Sequence, residues 1–238
     1  NCKPIRMSTG LLDWQTVVCG NPDVKEFDAL NWNSSAGFPL SNMKPQNSTG
    51  KKWCFDLQES NSGYICNSWH PALQAIYNID HGMRINKTKP CTIFTDCLKD
   101  TTLPIEKCAL PGKTRIFSIS PLQFTLECRR YFGDFMASFR SQRLDLMHGI
   151  GIDVNSREWS DLLSRLLVMG DKVCVGDYSN FGPGLNATVA YEACHIMCNW
   201  MKHYDTTDTK EQNDNVRRII VEELVCSMHL AHDLIYYA

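Results

Sequence analysis

Lys172-Val-Cys-Val-Gly-Asp177-Tyr-Ser-Asn-Phe-Gly-Pro-Gly184 carries a short apolar run that delivers a carboxylate into a glycine-rich turn. Val173 and Val175, with Cys174 between them, lack polar alternation, which predicts a strand covered on both faces. Gly182-Pro183-Gly184 then breaks the run, so Asp177 is expected at a strand-to-helix junction. An aspartate in such a place more often caps a turn than binds a metal. Its meaning depends on the rest of the chain.

Working outward, Ser156 caps a helix bearing Trp159, Leu162, Leu163, Leu166 and Leu167 that closes at Gly170. His148-Gly-Ile-Gly-Ile-Asp153 before it reads as a loop. Further upstream, Ser120-Pro121-Leu-Gln123 reads as a helix start, with Ser as cap, Pro at the first position and Gln at the capping-box position. Phe124, Cys128, Tyr131, Phe132, Phe135 and Phe139 follow at helical spacing and predict a core face to about Arg140. Downstream of Gly184, Val189, Ala193, Ile196, Met197 and Trp200 mark a second long helix. A polar linker from Asp205 follows, and Val216, Ile219, Ile220, Leu224 and Met228 predict a last helix.

At 238 residues, 43% hydrophobic and 21% charged, with a net charge of -2, the composition is that of an ordinary globular protein. No apolar run is long enough to span a bilayer. Twelve cysteines and the sequons at Asn33, Asn47, Asn86 and Asn186 raise a secreted, disulfide-linked alternative. Most of the cysteines, including Cys128, Cys194, Cys198 and Cys226, fall inside apolar periodic stretches, which favours reduced thiols that pack as small hydrophobes. Cys194-x-x-x-Cys198 beside His195, and His229-x-x-His232-Asp233 on the last predicted helix, both have too few neighbouring ligands for zinc, so packing is the expected role of each.

Residues 1–70 are rich in Asn, Ser, Gly and Pro and predict loops and short elements. Within them, Asn33-Ser34-Ser35-Ala36-Gly37-Phe38-Pro39 is a run of small residues that would let another backbone or a polyanion approach closely; it would equally suit a plain surface turn. A short helix is expected over 70–78 and a strand over 91–97. The segment from Lys99 to Phe117 holds Lys99, Lys107, Lys113 and Arg115 against Asp100 and Glu106, and is broken by Pro and Gly. The alternation Lys113-Thr-Arg115-Ile-Phe117 predicts a strand with both cations on one face, which suits repeated phosphate contact; the alternative is a solvated charged loop.

Four of these stretches, in this order, resemble the RNA-dependent RNA polymerases of picorna-like positive-strand RNA viruses, above all the dicistrovirus and iflavirus group. Ser34 to Pro39 is similar to the family's motif G, a fingers loop along the template channel, with Ser34, Ser35 and Gly37 as template-channel residues. Residues 99–117 resemble motif F, which implies that Lys99, Lys107, Lys113 and Arg115 contact the incoming triphosphate. Gly149 to Asp153, followed by Trp159, is similar to the linker before the palm. Asp177 to Gly184 resembles motif A. The resemblance implies an α/β (α+β) right-hand polymerase fold, with residues 1–122 mainly fingers and 123–238 opening the palm. It also implies a catalytic, metal-binding Asp177, the Tyr178 carbonyl as a further ligand, and Mg²⁺ as cofactor, for which Mn²⁺ can substitute. RNA template and primer, NTPs and other parts of a viral polyprotein are the implied partners, and a replication complex in the host cell cytoplasm the implied location.

Three departures qualify the match. Picornavirus polymerases carry a second Asp five residues after the first, where this chain has Gly182, which leaves ribose selection to other groups, with Asn180 or residues outside this chain as the candidates. An Arg of picornavirus motif F is Leu103 here. The chain also stops before the family's motif B and the Gly-Asp-Asp hairpin of motif C. A fragment without polymerase activity of its own is therefore expected, against the alternative of a non-catalytic RNA- or partner-binding module built on the basic arm at 99–115.

Overall fold

The computed structural model describes residues 2–179 and 181–238, apart from the side chains of Met169 and Pro183. Helix α1 (Trp14–Cys19) begins where the Asp13 carboxylate accepts from the Thr16 amide at 2.9 Å. An antiparallel hairpin of β1 (Phe55–Ser60) and β2 (Gly63–Trp69) follows, closed by the two residues Asn61 and Ser62. Helix α2 (Pro71–Ile85) has Pro at its first position, and His70 Nδ1 accepts from the Ala72 amide. The chain continues through β3 (Ile93–Leu98), the single turn α3 (Ile105–Cys108) and β4 (Ile116–Ile119) into α4 (Leu122–Ser141). Helices α5 (Arg157–Leu166), α6 (Phe181–Gly184), α7 (Ala187–Tyr204) and α8 (Lys210–Val225) lead to the hairpin β5 (Met228–Ala231) and β6 (Leu234–Tyr237).

Helix α4 is the axis of the packing. Leu122, Leu126 and Ala137 join one core with Val17, Leu40 and Leu73, while Phe124, Tyr131, Phe132 and Phe135 join a second with Cys198, Met201 and Ile220. A helix buried on both sides must also settle its polar groups. Asp134 accepts from Arg6 Nε at 2.7 Å and Nη2 at 3.0 Å, and Glu127 receives the Tyr77 hydroxyl and lies 2.8 Å from His81 Nδ1. In the second sheet β4-β3-β5-β6, β3 and β5 run parallel and the other two pairs antiparallel.

Several expectations fail for identifiable reasons. Residues 172–178 form no strand, and Val173 and Val175 stand 62% and 93% exposed. A strand needs a hydrogen-bonding neighbour, and among the described residues neither edge of the sheet pairs with this run. Helix α5 forms where expected, with Ser156 Oγ accepting from the Glu158 amide, yet it buries none of its residues. The last helix stops at Val225. Met228 instead opens β5, and His232 sits in the hairpin turn with φ 58°, so His229 and His232 share no helical face. Lys113 and Arg115 precede β4 and do not lie on it. Pro121 occupies the cap position of α4 with no side-chain cap, and Ser120 Oγ accepts from Thr125 Oγ1. The aromatic stripe of α4 and the packing role of Cys194 and Cys198 hold.

Candidate functional site

The basic arm is the connection between β3 and β4. Register fixes its base: Leu98 pairs with Ile116, and the Lys99 amide donates to the Arg115 carbonyl at 2.9 Å. The first and last cations of the arm therefore face each other across its neck. Lys99, Lys107, Lys113 and Arg115 are all exposed, and none joins an ion pair among the described residues. Against Asp100 and Glu106 on the same segment they leave an excess of two positive charges, which creates a local positive potential that attracts polyanions.

The small-residue loop lies against the far end of β4. Gly37 has φ 70°, and a Cβ there would stand 2.6 Å from the Ser120 carbonyl oxygen. The Leu122 amide donates to the Ala36 carbonyl at 2.8 Å. The close approach expected of small residues is thus met by the chain's own backbone. Ser35 Oγ accepts from the Gly37 amide, and Ser34 Oγ donates to the Asn31 carbonyl. Ser35, Ser41, Lys44 and Trp53 line a polar recess of about 260 Å³ beside the loop.

Asp177 and Tyr178 are exposed on the irregular segment before α6. No hydrogen bond or ion pair among the described residues joins Asp177 to the arm, whereas the small-residue loop is bonded where β4 passes into α4. Asn180, the ribose-selection candidate, lies outside the described residues. A larger apolar cleft of about 370 Å³, lined by Phe27, Phe132, Met136 and Ile220, includes none of the expected site residues.

Sequence reading passed over a cluster at the root of the arm. Asp96 Oδ1 accepts from Ser118 Oγ at 2.6 Å and from His229 Nδ1 at 2.9 Å, and Oδ2 accepts from the Tyr236 hydroxyl. Because a carboxylate can only accept, the His229 proton sits on Nδ1, and in the neutral ring Nε2 accepts from Ser227 Oγ at 2.8 Å. Burial opposes the charged carboxylate, but the donors from Ser118, Tyr236 and His229 outweigh it and hold Asp96 below the usual carboxyl range. The only sequence signal was the pair of histidines, for which packing was the expected role.

The fold is that of a template-directed polymerase. A solved sicinivirus 3Dpol RNA-dependent RNA polymerase superposes with a TM-score of 0.73 at 20% identity, over 97% of this chain and 44% of that one. The family model for viral RNA-dependent RNA polymerase matches residues 16–236. The genome polyprotein of Deformed wing virus is 49% identical over 93% of the chain, and that of Ectropis obliqua picorna-like virus 34% identical over 87%. The replicase polyprotein of Acute bee paralysis virus is 28% identical over 95%. The chain belongs to the viral RNA-dependent RNA polymerase family, as its motifs implied. It spans 8%, 6% and 11% of those three polyproteins respectively.

Proposed function

We propose that this chain supplies the fingers, over residues 1–122, and the opening of the palm, over 123–238, of a polymerase that adds ribonucleoside monophosphates from NTPs to an RNA 3′-end on an RNA template. The reading rests on one observation above the others: four exposed cations, without carboxylate partners among the described residues, on an arm whose neck is fixed by β3 and β4. A triphosphate needs such charge, because the reaction loads the leaving pyrophosphate with negative charge and the protein contributes chiefly positioning and electrostatics. Arg115 suits two phosphate oxygens at once through its planar fork, and Lys99, Lys107 and Lys113 act as point charges. Ser34, Ser35 and Gly37 flank the template path.

Mg²⁺, with Mn²⁺ as substitute, is the cofactor this reading calls for. Among the described residues no three His, Cys, Asp or Glu side chains gather as a metal site. These residues therefore do not complete one, and Asp177, with the Tyr178 carbonyl, is one contributor to a site that needs further carboxylates. Accordingly the isolated chain has no polymerase activity. In the full-length polymerase, Asp177→Asn abolishes incorporation and leaves RNA affinity within about twofold, since it removes a transition-state contact and no phosphate contact. Loss of RNA affinity in parallel, or primer extension by the isolated chain, overturns the reading.

A further inference from the structure

One carboxylate reaches every strand of the second sheet. Asp96 lies on β3, and its three side-chain donors come one each from β4, β5 and β6, as Ser118, His229 and Tyr236. Asp96 is three residues before Lys99, and Ser118 is three residues after Arg115. The cluster thus sits at equal distance along both strands from the two cations at the neck of the arm.

The need for such a tie follows from the sheet. β4 is an edge strand of four residues, three of them exposed, with β3 as its only partner among the described residues. A strand so short and so little buried holds its register weakly. The backbone pairing from Leu98–Ile116 to Thr95–Ile119 is supplemented by the Asp96–Ser118 bond, which joins residues directly opposite each other. His229, packed against Phe94 at 5.6 Å and Tyr236 at 5.5 Å between ring centroids, then fixes the carboxylate from the far side. The side chains of Asp96 and His229 are only 5% and 12% exposed, whereas Ser118 and Tyr236 are exposed, so water competes least for the Asp96–His229 bond.

We propose that Asp96 is a positioning residue for nucleotide binding: by holding Ser118 against β5 and β6 it sets the neck of the basic arm, and with it Lys99 and Arg115, without touching the substrate. This rests on the arm being the triphosphate contact. Misplacing a binding group by about 1 Å is enough to weaken its contribution by one to two orders of magnitude.

The test uses the full-length polymerase with KM for NTP, kcat, RNA affinity and thermal midpoint measured for Asp96→Asn, Arg115→Ala and the double variant. The expected result for Asp96→Asn is a KM raised about tenfold with kcat and RNA affinity within about threefold. In the double variant KM is expected to rise by clearly less than the product of the two single effects, because the part of the tie that acts through Arg115 has nothing left to position. Ser118→Ala should raise KM about threefold and Ser118→Thr, which keeps the hydroxyl, should restore it. This second pair decides the matter if Asp96→Asn does not fold. An unchanged KM in Ser118→Ala or Asp96→Asn while Arg115→Ala raises it overturns the positioning role. So do additive effects in the double variant. An unchanged KM in Arg115→Ala removes the arm's assigned role and the inference with it.

Discussion

Arg84 of α2 and Glu223 of α8 face each other as a two-pronged pair, Nε to Oε1 at 2.6 Å and Nη2 to Oε2 at 2.8 Å, with both side chains fully buried. The Thr92 hydroxyl also donates to Glu223, and Arg84 Nη1 lies 3.8 Å from Glu127 of α4. This network crosses from the N-terminal part of the chain to its C-terminal helix.

Breaking the pair from one side leaves a buried charge without its partner. Arg84→Ala is expected to destabilise the fold by about 3–5 kcal/mol, whereas Arg84→Met with Glu223→Leu costs less because Glu223 no longer leaves a buried charge and Glu127 keeps its bonds to Tyr77 and His81. Urea midpoints of the two variants check the order.

Asp205 links stability to acid. Burial alone would raise its pKa, but bonds from Thr207, Arg217 and Asn213 outweigh that and keep the carboxyl below its usual range. A depressed folded pKa gives stability that is fully present above the unfolded value near ~3.9 and is lost as pH falls through the folded one. Asp205→Asn should therefore flatten the stability profile below about pH 4, as measured by thermal unfolding across pH.

Gly37→Ala places a side chain at φ 70° and brings its Cβ 2.9 Å from Pro121 Cα as well as onto the Ser120 carbonyl. The backbone conformation alone costs about 1–3 kcal/mol. A thermal midpoint unchanged from wild type would contradict the packing described for this loop.

The uncovered face of α5 predicts self-association of the isolated chain. Trp159, Leu163 and Leu166 are 48%, 56% and 58% exposed, and apolar patches of this kind drive association. Leu163→Lys with Leu166→Lys should favour the monomer in sedimentation and change folding stability by no more than about 0.5 kcal/mol.

The aromatic stripe of α4 was legible because six residues at helical spacing specify a face regardless of what covers it. Val173 to Val175 misled for the same reason: the pattern states what a segment would bury, and only a neighbouring strand makes it a strand. The hairpin at Phe55 to Trp69 was hidden by polar composition, although the two residues between Ser60 and Gly63 were a turn signal. Arg84 and Glu223 stand 139 residues apart and each looks like an ordinary solvated helix residue. The cations of the arm could be found as a local cluster. The Asp96 cluster could not, since its members come from four strands and meet only in the fold.

Ala36 and Gly37 rest on Ser120, Pro121 and Leu122, where β4 gives way to α4. The four residues of β4 join this junction to the neck of the basic arm at the strand's other end, so one short strand links the two loops. Any substitution that tilts this junction, such as a bulky residue at Ser120, must displace both together, so defects in template handling and in triphosphate affinity are expected to be inherited as a pair.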